Sequence, residues 1–233
     1  MSSFKKISDE EDKNKPGVPS LGSQLPEKKI ATIFPYLKFS GNGDVALNEV
    51  FKIEDDEPII ATSYFTQAES GKEQKMEIIC KKILPDCFLF YGFDMDTMFM
   101  QVMPADFNSS LRIDNIHQIA KENLTYFVEN IRQPEIRSSE SGINMIICDG
   151  NYEASLILFE DTWQHLQQQL GNALYVAIPA RGMLLFTTKD NLVAIDEIRN
   201  FVKQHYYSYE KQLSKYLYKV ESDIWTVVEK IIE

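Results

Sequence analysis

The chain has 233 residues, 44% hydrophobic and 12% aromatic, enough to bury one sizeable core and to exclude wholesale disorder. Lys and Arg number 24 against 35 Asp and Glu, a net charge of -11, which repels phosphate backbones and anionic headgroups and disfavours nucleic acid and membrane surfaces as partners. No run approaches the roughly 20 apolar residues of a membrane span, and Met1-Ser2-Ser3-Phe4-Lys5-Lys6 leads into Asp9-Glu10-Glu11-Asp12 without an apolar signal core, so a cytoplasmic protein without membrane insertion is predicted.

Residues 1–28 scatter Pro16, Gly17, Pro19, Gly22 and Pro26 among Ser and balanced charges. They predict a disordered tail, followed by a single domain over 29–233 that carries the whole net charge. Ile30 to Phe39 is short, aromatic and β-branched, and Pro35 restricts it to an edge strand or a broken one. Asp44 to Val50 suggests a short helix, Pro58 to Phe65 a strand, and the polar Gln67 to Lys75 a loop. Cys87 to Phe93 is apolar on both alternating faces, Asp94-Met95-Asp96 interrupts it, and Thr97 to Met103 resumes it, which predicts a hairpin.

Ser110 is a candidate N-cap for a helix from Leu111, with Ile116, Ala120, Leu124 and Phe127 at helical spacing and Pro134 ending it. Ile143 to Cys148 reads as a buried strand. Asp149-Gly150-Asn151 then caps a second helix whose stripe of Tyr152, Leu156, Phe159, Trp163, Leu166 and Leu170 stops at Gly171. Leu174 to Ile178 and Met183 to Thr188 form a second hairpin around a four-residue turn, Pro179 to Gly182. Asn191 to about Tyr209 is a third helix. Past Leu213 the spacing admits helix or strand, since Ile224-Trp225-Thr226-Val227-Val228 is strongly β-prone.

Several of these segments occur together in one family. Phe90-Tyr91-Gly92-Phe93-Asp94-Met95, Ala120-Lys121-Glu122-Asn123-Leu124, Asp149-Gly150-Asn151-Tyr152-Glu153-Ala154-Ser155 and Val176-Ala177-Ile178-Pro179 follow in an order that resembles the bacterial YtpQ-like family of unknown function, over Ile83 to Lys189. The resemblance implies an α+β fold and a strand after Leu217. It implies no activity, because that family has none assigned. Family members often carry an acidic residue where Gly182 stands, and a longer N-terminal region. The expected fold is thus α+β, a mixed, largely antiparallel sheet with hairpins covered by three amphipathic helices.

Residues that could carry chemistry are sparse. His117, His165 and His205 have no Cys, Asp or Glu at metal-ligand spacing and read as surface histidines. Asp94 and Asp96 suit a wet turn. There is no GxSxG elbow, Walker loop or GxGxxG motif, and the three cysteines, Cys80, Cys87 and Cys148, form no CxxC pair. Cys148 stands before Asp149-Gly150 at an expected helix N-terminus, where backbone N–H groups can stabilise a thiolate, although a buried apolar cysteine is the plainer reading. No catalytic residue, metal or cofactor is therefore expected.

The methionines stand out. Met95, Met98, Met100 and Met103 place half of the eight methionines around one hairpin, beside Phe99. Methionine repacks against varied surfaces, so these five residues are the expected partner-binding set, with core filler as the alternative. The functional expectation is a non-enzymatic interaction or adaptor module, such as an accessory subunit or chaperone of a bacterial secretion apparatus. Alternatives are an immunity-type protein that neutralises a basic partner through the acidic surface, and an enzyme with an unrecognised site.

Overall fold

The computed structural model describes residues 31–39, 47–53, 56–66, 73–95, 98–171 and 173–233; the expected tail over 1–28 and Asp96 lie outside them. The strands form two antiparallel sheets within an α+β fold. In the first, β1 (Ile33–Phe39) and β4 (Glu73–Leu84) flank β5 (Cys87–Met95), β3 (Ile59–Thr66) pairs with β4, and β6 (Met98–Gln101) folds back on the far half of β5. The second runs β2 (Val50–Phe51), β12 (Ile224–Lys230), β11 (Tyr216–Glu221), β9 (Leu174–Ala180), β10 (Met183–Thr188), β8 (Asn144–Ile147), β7 (Glu135–Ser138). Three α-helices lie among the described residues: α1 (Ile116–Asn130), α2 (Glu160–Leu170) and α3 (Leu192–His205).

Side-chain alternation sets the layers. On β9 and β10, Leu174, Val176, Ile178, Leu184 and Phe186 face the main core between the sheets, while Ala177 and Leu185 face α3, whose Ile195, Ile198 and Val202 close a second cluster. Arg199 of α3 grips the Glu229 carboxylate through two nitrogens, each at 2.7 Å, and so fixes the helix to β12. On the first sheet, Ile33, Leu37, Leu89, Tyr91 and Phe93 face the core with Ile116 and Ala120 of α1. Trp163 of α2 is 2% exposed and meets Trp225 and Phe186 edge-on at 5.6 and 5.9 Å.

Several sequence-based expectations shift. The first helix begins at Ile116, because the Asn108 side chain accepts the N–H groups of Ser110 and Leu111 and Asn115 accepts that of Arg112, holding this stretch in turns. Ser110 caps nothing. The expected long second helix divides into a 3-10 segment, Glu153–Leu158, and α2. All six residues of that segment are buried, so it has no solvent face, and Phe159 at φ -93, ψ 81 breaks the helical path. Gly171 ends α2 in the left-handed region at φ 75.

The second hairpin turns on two residues, Arg181 and Gly182, rather than four. Pro179 and Ala180 stay extended because the Pro179 carbonyl accepts the N–H of Leu213 and Ala180 bridges Gln212. A Cβ on Gly182 would lie 2.5 Å from the Gly150 carbonyl oxygen, so no side chain, acidic or otherwise, fits there. Of the segment expected as a short helix, Val50 pairs with Thr226 as a strand. Residues 73–75, expected in a loop, open β4. Past Leu213 the chain makes β11 and β12, which decides for strand. β1 is an edge strand, as Pro35 requires.

The two sheets are pinned by one buried carboxylate. Asp86, in the turn between β4 and β5, is 2% exposed and accepts from Ser214 Oγ at 2.9 Å, the Lys215 N–H at 3.1 Å and the Tyr218 hydroxyl at 2.8 Å. Burial and the Asp86 carboxylate hold the Tyr218 phenol well above its ordinary pKa, so Tyr218 remains a donor.

Candidate functional site

The β5–β6 hairpin forms because Met95 pairs with Met98, Asp94 with Phe99, Phe93 with Met100 and Gly92 with Gln101. Beyond the turn β6 outruns the core. Met98 is 61% exposed, Met100 40% and Phe99 36%, whereas Met95 packs partly buried against the main cluster and Met103 is half-buried beside a 3-10 turn. Of the five expected partner-binding residues, Met98, Phe99 and Met100 thus lie together on the surface. Among the described residues β6 pairs only with β5, which leaves its other edge open.

Phe99 connects the hairpin to a second group. A Cβ on Gly92 would sit 2.0 Å from the Phe99 ring, so the glycine gives the ring its seat. From there Phe99 meets Tyr36 edge-on at 4.4 Å. Tyr36 also lies 5.9 Å from Phe90, so the face of the first sheet turned from the main core carries an aromatic cluster. Two cations border it. Lys38 Nζ is 5.3 Å from the Tyr36 ring and 4.8 Å from Phe90, and the Arg181 guanidinium, reaching across from the β9–β10 turn, is 5.0 Å from Tyr36.

The electrostatics of this seam are unusual for so acidic a chain. Burial lowers the pKa of Lys38, and neighbouring Arg181 lowers it further; burial also lowers that of Arg181. Burial pushes the Tyr36 phenol up to about 12. Asp94, on the same face, accepts the Tyr152 hydroxyl at 2.5 Å, and burial followed by that bond holds Tyr152 well above the ordinary range. Neither cation ion-pairs with a carboxylate among the described residues, and Arg181 Nε is buried without a hydrogen-bond partner.

Other chemistry-bearing groups are engaged structurally. His117 is not the surface histidine expected: it is half-buried, its Nδ1 3.1 Å from the Tyr91 hydroxyl and its Nε2 3.4 Å from the Nζ of Lys81, which is 2% exposed. His165 and His205 are exposed. The Cys148 thiol is pushed up to about 12 by burial and then by Asp149 and Glu153, the reverse of thiolate stabilisation. Glu153 explains that turn: its Oε1 accepts the N–H groups of Cys148 and Gly150 at 2.8 and 2.7 Å.

A groove of about 910 Å³ opens between the C-terminal half of α1, β7 and the start of α2. Val128, Ile136, Leu156 and Phe159 contribute its apolar lining, and Glu129, Glu160 and Asp161 its acidic groups.

Sequence reasoning reached the methionine hairpin but missed Arg181, Lys38 and Tyr36. The Pro-Ala-Arg-Gly turn gave no sign of where its arginine would point, since Tyr36 belongs to the other sheet. A cation flanked by aromatic strand residues at Tyr36-Leu37-Lys38 was the one local signal. Comparison with family models, with curated proteins and with solved structures finds no match.

Proposed function

We propose that this chain is a non-enzymatic interaction module that receives an extended apolar segment of a partner protein along β6. The observation that supports the reading is the exposure of Met98, Phe99 and Met100 on a four-residue strand whose outer edge is unpaired among the described residues. Strand addition would satisfy the free backbone groups, and methionine would accommodate varied partner side chains. The place of action in this reading is the cytoplasm, as an accessory subunit or chaperone of a larger bacterial complex such as a secretion apparatus. The YtpQ-like resemblance is compatible with it and supplies no activity of its own.

The test is a photoreactive phenylalanine analogue placed at position 98 of the full chain, with a control at the exposed Tyr126. Irradiation in the native cell should yield one protein adduct from position 98, absent from position 126 and abolished by Met100→Asp. Adducts that persist with Met100→Asp, or that form equally from position 126, contradict the reading. Dimers of the chain alone would make a second copy the occupant.

One observation favours a second reading, the immunity-type protein. The apolar groove beside α1 has three carboxylate residues in its lining, suited to a basic amphipathic segment. Glu160→Lys with Asp161→Lys should then abolish partner capture while Met100→Asp leaves it unchanged.

A further inference from the structure

We infer that the seam formed by Lys38, Tyr36 and Arg181 is a binding site for an oxyanion, a phosphate or carboxylate group carried by a ligand. The inference stands apart from the hairpin reading, because it rests on cations without an ion pair among the described residues and not on exposed apolar area.

Charge placement carries it. Arg112, Arg137 and Arg199 each reach a carboxylate. Among the described residues Arg181 reaches none, nor does Arg132, but Arg132 is exposed whereas Arg181 is half-buried and held against a buried tyrosine. Lys38 borders the same ring, so two cations share one face and raise each other's energy. Taking charges partly out of water without a counterion is costly, and bringing two of like sign together adds to the cost. Lys211 is the backbone neighbour of this turn: its carbonyl accepts the Arg181 N–H, while its Nζ donates to Asn151 Oδ1 at 3.2 Å.

Among the described residues no carboxylate forms an ion pair with Lys38 or Arg181. Asp94 is engaged by the Tyr152 hydroxyl, and Asp86 is buried and accepts three hydrogen bonds. Glu210 is exposed beside Lys211. An arginine fork and an ammonium converging on an aromatic wall match a planar carboxylate or a tetrahedral phosphate, which would supply the missing negative charge and accept from the guanidinium.

The side-chain Nε–H resonance of Arg181, assigned through Arg181→Lys, reports on the guanidinium directly. The full chain is titrated with orthophosphate and, separately, with succinate, against chloride at equal ionic strength. The expected result is a saturable shift of that resonance with at least one oxyanion, weakened about tenfold by Lys38→Ala, a loss of about 1.4 kcal/mol in binding. Stronger binding of phosphate would point to a phosphorylated ligand, and stronger binding of succinate to an acidic peptide group. A shift that chloride reproduces, one that never saturates, or one unaffected by Lys38→Ala overturns the inference. Parallel urea unfolding of Lys38→Ala should match the parent, which separates lost binding from lost folding.

Discussion

Two of the polar contacts between the sheets are opposites. At Asp86 a charged group is sealed from water and all its listeners are present: Ser214, Lys215 and Tyr218 donate to its two oxygens. At Arg181 a charged group is half-buried against Tyr36 and, among the described residues, has neither a carboxylate nor a partner for Nε. A buried charge whose hydrogen bonds are complete fixes structure, because removing it strands its donors. One left incomplete contributes little to stability and has capacity left for a ligand. The same contrast holds for the apolar groups: Trp163 is 2% exposed and ringed by aromatics, while Met98 is 61% exposed on an open edge.

The largest effect is expected at the closed seam. Asp86→Ala leaves three donors without their acceptor, two of them buried side chains, and should cost about 3 to 5 kcal/mol in urea unfolding. A loss under about 1 kcal/mol would erase the distinction between the seams.

Alkaline pH comes next. The Tyr36 phenol is held at about 12 in the fold against about 10 unfolded, so folding favours its neutral form. That contribution is fully present below pH of about 10 and is lost as pH rises through about 12, a decline of roughly 2 to 3 kcal/mol. Tyr152 and Tyr218 shift in the same direction and steepen it. Tyr36→Phe should flatten the fall of the unfolding midpoint over that window; an unchanged slope would remove Tyr36 from the account.

Gly92→Ala should displace the Phe99 ring, since the added Cβ would lie 2.0 Å from it, at a cost of about 1 to 3 kcal/mol. Near-ultraviolet circular dichroism from Tyr36 and Phe99 should change with it. Arg181→Leu should do least: it removes one cation–π contact and also one poorly compensated charge, so stability should stay within about 1 kcal/mol of the parent.

Much of this contrast could not be read along the chain. The β5–β6 hairpin was legible because Asp94-Met95-Asp96 breaks a two-faced apolar run, and β1 because Pro35 admits only an edge. The α3 stripe was legible because Ile195, Ile198 and Val202 keep helical spacing over a solvent face. The Tyr152 to Leu170 stripe misled because its first half, buried all round, satisfies a helical period without being an amphipathic helix. Asp86 and Arg181 were invisible for a shared reason: each is an ordinary turn residue locally, and its role is set by a strand of the other sheet. Lys81 escaped because burial of a lysine inside Ile78-Ile79-Cys80-Lys81-Lys82-Ile83-Leu84 depends on α1 bringing His117 to it.

The most direct measurement is urea unfolding of the full chain carrying Met98→Asp and Met100→Asp together. If β6 is an open docking edge, two new carboxylates remain in water and the unfolding free energy should stay within about 0.5 kcal/mol of the parent for each substitution. A loss of several kcal/mol, with the variant aggregating, would show that the chain itself covers these methionines and that the hairpin belongs to the core.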